Sequence, residues 1–139
     1  MRIVLKILSS IGGFFAAIFA IRRSNRSRRP YEVNPSCKTK EEFVDLVKAS
    51  FGAEYKIVEN YEVKNIDPYV YEARPYTLAF FRNEQLVLTI LFTQHNGEKN
   101  KDFLNAKRAC EVRGIKCLNF FEHFPNQDDY VINRIRENL

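Results

Sequence analysis

The sequence predicts an α/β protein: an N-terminal transmembrane helix, then a domain running α-β-β-β-α-β-α around a central four-stranded mixed sheet. Three observations carry that expectation. Residues 7–21, ILSSIGGFFAAIFAI, contain no charge. YTLAFF (76–81) and LVLTILF (86–92) are short, continuously apolar runs, the pattern of strands buried on both faces. Three segments with apolar residues at helical spacing are distributed around these runs, one before them and two after.

The chain has 139 residues, enough for one domain. Twelve Phe and a 45% hydrophobic content argue against a disordered chain, and five Gly with five Pro exclude collagen-like or Pro/Gly-rich low complexity. The formal charge is +5, which by itself suggests an anionic partner. Its location changes the reading. Residues 1–36 hold seven of the 22 Lys and Arg and a single acid, Glu32, so in residues 37–139 the remaining 15 bases face 16 acids. A basic leader is joined to a near-neutral domain.

The expected organisation is a transmembrane anchor at 1–21, a basic juxtamembrane linker at 22–38 and a globular domain at 39–139. From Ile3 the apolar run reaches 19 residues with Lys6 its only charge, close to the roughly 20 residues needed to cross a hydrocarbon core. Lys6 lies near one end, where its stem reaches the headgroups. A cleaved signal peptide is the rival, but cleavage after Ala20 would leave Ile18 where a small residue is required. An interfacial helix lacks a visible polar face. Arg22, Arg23, Arg26, Arg28 and Arg29 follow the run directly, which places the C-terminal domain in the cytosol and the cluster against anionic lipid. A nucleic-acid-binding arm is the other reading of that cluster. Membrane lipid, met through residues 3–21 and these arginines, is thus the first expected partner.

Pro30, Asn34, Pro35 and Ser36 mark the linker. Thr39 and Glu42 have capping-box spacing, with Phe43, Leu46, Val47, Ser50 and Phe51 following at helical intervals and Gly52 as a stop. From Tyr55 the period changes: Tyr55, Ile57, Tyr61 and Val63 fall on one side of an alternating strand. Residues 65–74 are a polar connection. The two apolar runs then form a tight antiparallel hairpin through Asn83-Glu84, a poorer turn pair than Asn-Gly. After a polar loop at 94–101, Phe103, Ala106, Cys110 and Val112 mark a second helix that Gly114 ends. IKCLNFF (115–121) reads as the fourth strand. Asn126 is the expected cap of a last helix whose first turn holds Asp128 and Asp129 and whose apolar face holds Val131, Ile132, Ile135 and Leu139.

Few residues look chemical. Cys37, Cys110 and Cys117 form neither an even set nor a Cys-x-x-Cys pair, which fits reduced thiols, and the last two sit on core faces. His95 and His123 have no partner at metal-ligand spacing. Phosphate-cradling, nucleophile-elbow and dinucleotide motifs are absent, so neither a metal nor a cofactor is expected. The aromatic residues read as core rather than as a base-stacking platform, because the domain's charge is close to zero. Lys99, Lys101, Lys107, Arg108, Arg113 and Lys116 crowd around the second helix.

The element order, with LVLTILFTQHN followed by a basic helix and GIKCLNF, resembles the restriction endonuclease-like (PD-(D/E)xK) superfamily, nearest its small very-short-patch-repair-like branch. The resemblance covers roughly residues 39–139, with Gln94-His95, Lys107 and Gly114-Ile115 standing where that pattern has its Gln-His pair, helical base and Gly-Ile step. Such nucleases hold a divalent metal with acids from the second and third core strands. The resemblance puts Thr89 and Leu91 at the third-strand positions, and the second strand offers Thr77, Leu78 and Ala79. The implied active site is therefore degenerate. No catalytic residue is expected, and the function implied is a binding module for a protein or nucleic acid, with Gln94, His95, Lys101 and Lys107 as binding residues. Two rivals remain: a nuclease with carboxylates relocated to Glu111, Asp67 or Asp102, and a structural membrane component whose anchor oligomerises through Ser9, Gly13 and Ala17.

Overall fold

The computed structural model describes residues 37–139 apart from His95. The expected anchor, its five arginines and the Ser9, Gly13, Ala17 stripe lie outside those residues. Among the described residues no helix is long and apolar enough to cross a membrane.

Helix α1 (Lys40–Phe51) starts as its sequence dictates. Glu42 N donates to Thr39 Oγ1 at 3.2 Å, and Thr39 N donates to the Glu42 carboxylate at 3.0 Å. That reciprocal cap satisfies two amides left free by the helix start and contributes about 1 kcal/mol. Packing begins earlier still: Cys37 is buried, and Lys38 pairs with Asp128 at 2.6 Å. Strands β1 (Lys56–Tyr61), β2 (Tyr76–Arg82) and β3 (Gln85–Thr93) form an antiparallel meander. The chain then crosses through α2 (Lys101–Val112) to β4 (Lys116–Phe121), which lies parallel to β3. Helix α3 (Asp128–Glu137) closes the domain. The sheet order is β1-β2-β3-β4, a four-stranded mixed sheet with the two apolar runs at its centre.

The sheet has a core on each face. On one, Phe43, Val44, Val47 and Phe51 of α1 and Val131 and Ile135 of α3 meet Leu78, Phe80, Leu88, Ile90 and Phe120. Phe43 is wholly buried, stacked on Phe92 at 4.8 Å between ring centroids, and burial of such a ring contributes about 1.5–3 kcal/mol. On the other, Phe103, Ala106, Ala109 and Cys110 of α2 cover Leu91 and Tyr76, with Val63 and Ile66 at the flank.

Local sequence sets the connections. Asn83 and Glu84 join β2 to β3 with φ of 50° and 64°, the left-handed pair that a two-residue hairpin matching the strand twist requires. Phe80 pairs with Leu88 but Phe81 with Leu86, so Val87 is the extra residue of a bulge. Gly114, with φ of 68°, ends α2: Ile115 N donates to Cys110 O at 2.9 Å and Gly114 N to Glu111 O at 3.2 Å. Those two bonds are a Schellman closure, which a left-handed glycine makes cheaply.

Three sequence expectations are corrected. Tyr61 and Val63 do not share a face with Ile57: Ile57 packs with the α1–α3 core and the other two with the α2 core. Asn60, at φ of 49°, reverses the alternation between them. Val112 is 70% exposed rather than part of the apolar face of α2. Asn126 does not cap α3, whose N-cap residue is Gln127. Its buried amide instead donates to Phe121 O at 2.7 Å and Phe124 O at 3.1 Å, holding the turn after β4.

Candidate functional site

Helix α2 carries two chemically distinct faces. Its inner face meets a small polar cluster set in the second core. Tyr76, wholly buried at the start of β2, donates its hydroxyl proton to Ala106 O at 2.6 Å. Cys110, also wholly buried, donates its thiol to that Tyr76 oxygen at 3.1 Å. Thr89 Oγ1 lies 3.2 Å from Cys110 Sγ. The parallel register sets Cys117 beside Thr89 on the neighbouring strand, where the Cys117 and Cys110 thiols shift each other's protonation. Three residues from β2, β3 and α2 are thus tied together by their hydroxyls and thiol, as buried polar groups must be, with Cys117 of β4 alongside.

This arrangement sets the protonation of the thiols. Hydrogen bonds that Cys117, then Thr89 and Tyr76, can give the ionised sulfur draw Cys110 down to about 6, against the burial and the Glu111 charge that raise it. Cys117 is pushed up by the same bond with Cys110 and by burial. Burial, then the hydrogen bond with Cys110, holds the Tyr76 hydroxyl protonated. Lys107 lies near enough to oppose the rise at Cys117.

The outer face of α2 is exposed. Lys101, Leu104, Arg108 and Glu111 follow one another at three- and four-residue steps, the spacing that aligns side chains on one helical stripe. Leu104, Asn105, Lys107, Arg108 and Glu111 line a shallow, open cleft of about 290 Å³. Asn105 Nδ2 donates to Tyr71 O at 3.2 Å and Glu72 O at 3.3 Å, which fastens the segment before β2 alongside this stripe. Arg74 strengthens the junction, with Nε 3.1 Å from Asp102 Oδ2. Tyr71, whose carbonyl meets Asn105, is 74% exposed, and Tyr69, two residues earlier in the same segment, is 83% exposed. Over residues 98–116 six bases face three acids; Asp102 is paired with Arg74, and Lys101 with Glu72.

The residues singled out in the sequence are not brought to one point. Gln94 is exposed at the end of β3, and His95 lies outside the described residues. Lys101 is exposed and pairs with Glu72 at 3.0 Å. Lys107 is exposed on the flank of the stripe, six residues further on, about 9 Å along the axis. Lys101 and Lys107 thus share α2, about a third of a turn apart around its axis, with Lys107 and not Lys101 lining the cleft, whereas Gln94 stands apart on a different element. Sequence reasoning placed Arg108 in the basic cluster around this helix but missed Tyr69 and Tyr71 as surface groups and the polar contacts of the buried thiols; the exposed tyrosines' neighbouring Pro68 and Glu72 were the available signal.

The positions at which a nuclease of the resembled type holds its acids are sealed. Thr89, Leu78 and Ala79 have no exposed surface, Leu91 has 1%, and buried Thr77 accepts from Phe92 N at 3.0 Å. The candidate relocated acids are occupied separately. Asp67 accepts from Tyr69 N at 3.0 Å, Asp102 holds Arg74, and Glu111 lines the cleft on α2. Among the described residues no group of three or more His, Cys, Asp or Glu is placed to hold a metal. No protein-family model, curated protein or solved structure matches this chain.

Proposed function

We propose that residues 37–139 form a non-catalytic binding module on a restriction endonuclease-like frame, held at the cytosolic face of a membrane by residues 3–21 and the arginine cluster. Its ligand is a nucleic-acid strand that lies along the outer face of α2. The observation that carries this reading is a segment with two highly exposed tyrosines, Tyr69 and Tyr71, fastened by its backbone to a helix whose outer side carries Lys101 and Arg108 with Lys107 on the flank. Bases supply phosphate contacts that position a strand, and aromatic faces stack its bases at about 1–3 kcal/mol each without demanding a sequence. The near-neutral charge of the whole domain hides this local excess, which arises because acids are concentrated elsewhere or paired, as Asp102 is with Arg74.

The buried hydroxyl and thiol groups around Thr89 support the non-catalytic part of the reading. A divalent cation needs several charged or carbonyl oxygens at close range and an entry path. Thr89 offers one hydroxyl with no exposed surface, beside sulfur.

The test is a fluorescence-anisotropy titration of the full chain in mild detergent with a labelled single strand. Wild-type protein is expected to bind with an affinity that falls steeply as salt rises. Lys107→Glu with Arg108→Glu should weaken binding at least tenfold and flatten the salt dependence, and Tyr71→Ala should weaken it roughly five- to a hundredfold with the salt slope unchanged. Equal binding by wild type and both variants would contradict the proposed surface.

A further inference from the structure

We propose that Cys110 and Cys117 are an oxidisable thiol pair that a peroxide converts to a disulfide, stapling the last turn of α2 to β4. The pairing stands on geometry independent of the nucleic-acid surface. Cys110 O accepts Ile115 N at 2.9 Å, so the chain has already turned back on itself, and Cys117 follows two residues later. Both cysteines meet at Thr89: Cys110 through the Thr89 hydroxyl, 3.2 Å from its sulfur, and Cys117 as the partner of Thr89 in the strand register, packed in the same core. The third cysteine, Cys37, precedes α1 and is not in this cluster. Cys110 has no exposed surface while Cys117 is half-buried, so a small, water-like oxidant enters on the Cys117 side.

The reaction balances with hydrogen peroxide as the oxidant. The Cys110 thiolate attacks one peroxide oxygen, the O–O bond breaks, and the leaving hydroxide takes the thiol's former proton as water. Cys110 is then a sulfenic acid. The Cys117 sulfur attacks it, the S–O bond breaks, and the second water carries away the Cys117 proton. Two electrons pass from the two thiols to one peroxide. The hydrogen-bonded partners that favour a thiolate at Cys110 supply the nucleophile, and the adjacent thiol resolves the sulfenic acid before further oxidation.

The full chain in mild detergent, treated with hydrogen peroxide under native conditions, provides the test. The expected result is a mass lower by two daltons and a fall from three free thiols to one, both reversed by dithiothreitol. Trypsin cuts after Arg108, Arg113 and Lys116, so the new bond joins two otherwise separate peptides. Cys37→Ser should behave like wild type with one thiol fewer throughout, and Cys117→Ser should instead gain oxygen at Cys110. A retained count of three thiols, a bond to Cys37, or stable oxygen addition at Cys110 in the wild-type protein would overturn the proposal.

Discussion

Replacing Tyr76 with Phe isolates a single hydrogen-bonding group in the polar cluster beneath α2. The ring is wholly buried, and Phe has nearly the same shape, so the change leaves no void. What disappears is one donor to Ala106 O at 2.6 Å and one acceptor for the Cys110 thiol at 3.1 Å. Ala106 O lies within the helix and keeps its helical bond, so its loss is partial. Cys110 retains Thr89 and Cys117. Removing one member of a buried pair costs about 1–3 kcal/mol, and these surviving partners place the expected loss near 1.5 kcal/mol. For a domain of about 100 residues that lowers Tm by roughly 6–12 °C. Urea denaturation of the full chain in detergent, followed by far-ultraviolet dichroism, reads the effect as a lower midpoint at unchanged slope. A double-mutant cycle with Cys110→Ala then separates the Tyr76–Cys110 contact from the Ala106 bond, with a coupling of about 0.5 kcal/mol or more. A Tyr76→Phe variant as stable as wild type would refute the claim that this cluster holds α2 to the sheet.

Two further outcomes follow from the same geometry. Cys110 is lowered to about 6 in the folded protein, below its ordinary value of 9, so the unfolded chain binds more protons than the folded one between those values and stability should rise with pH there. Above about pH 9 the sign reverses, because folding holds Cys117 and Tyr76 protonated while the unfolded chain releases those protons. Denaturation midpoints from pH 5.5 to 10 should therefore pass through a maximum, and Cys110→Ala should flatten the rising limb. At the β2–β3 turn, Glu84→Gly relieves a left-handed conformation at φ of 64° and should stabilise by about 0.5–1 kcal/mol after the entropy cost of glycine in the unfolded chain, read as a higher denaturation midpoint.

What was legible in the sequence was local. The Thr39–Glu42 cap, the Gly114 stop and the Asn83-Glu84 turn each depend on residues within a few positions, and all three form as the chain reads. The continuous hydrophobicity of β2 and β3 also announced their central place, because only strands covered on both faces tolerate it. Asn60 defeated the face assignment of β1, since a single left-handed residue reverses an alternation without altering its spacing. Asn126 illustrates a competition: its amide can cap a helix or bind carbonyls of the preceding turn, and tertiary placement of β4 and α3 decides between them. The polar cluster was hidden for a related reason. Thr89 meets Cys110 and Cys117 only through a parallel register between β3 and β4, and hydrophobic patterning does not specify register when both strands are apolar. The candidate surface was half visible. Lys101, Lys107 and Arg108 cluster in sequence, whereas Tyr69 and Tyr71 come from a segment some 30 residues earlier, which the Asn105 bonds and the Arg74–Asp102 pair fasten to the helix.

Strand binding without cleavage is the claim that the outer face of α2 and the sealed positions around Thr89 together carry. Incubating the full chain in mild detergent with end-labelled single- and double-stranded DNA and RNA, in Mg²⁺ and in Mn²⁺ with a chelator control, tests that claim most directly. Native and denaturing gels run side by side read binding and cleavage in the same tubes. Binding without cleavage predicts retarded single strands at low salt that are released at higher salt and remain full length with either metal. Shortened strands whose appearance the chelator abolishes, or no retardation of any strand at low salt, would contradict it.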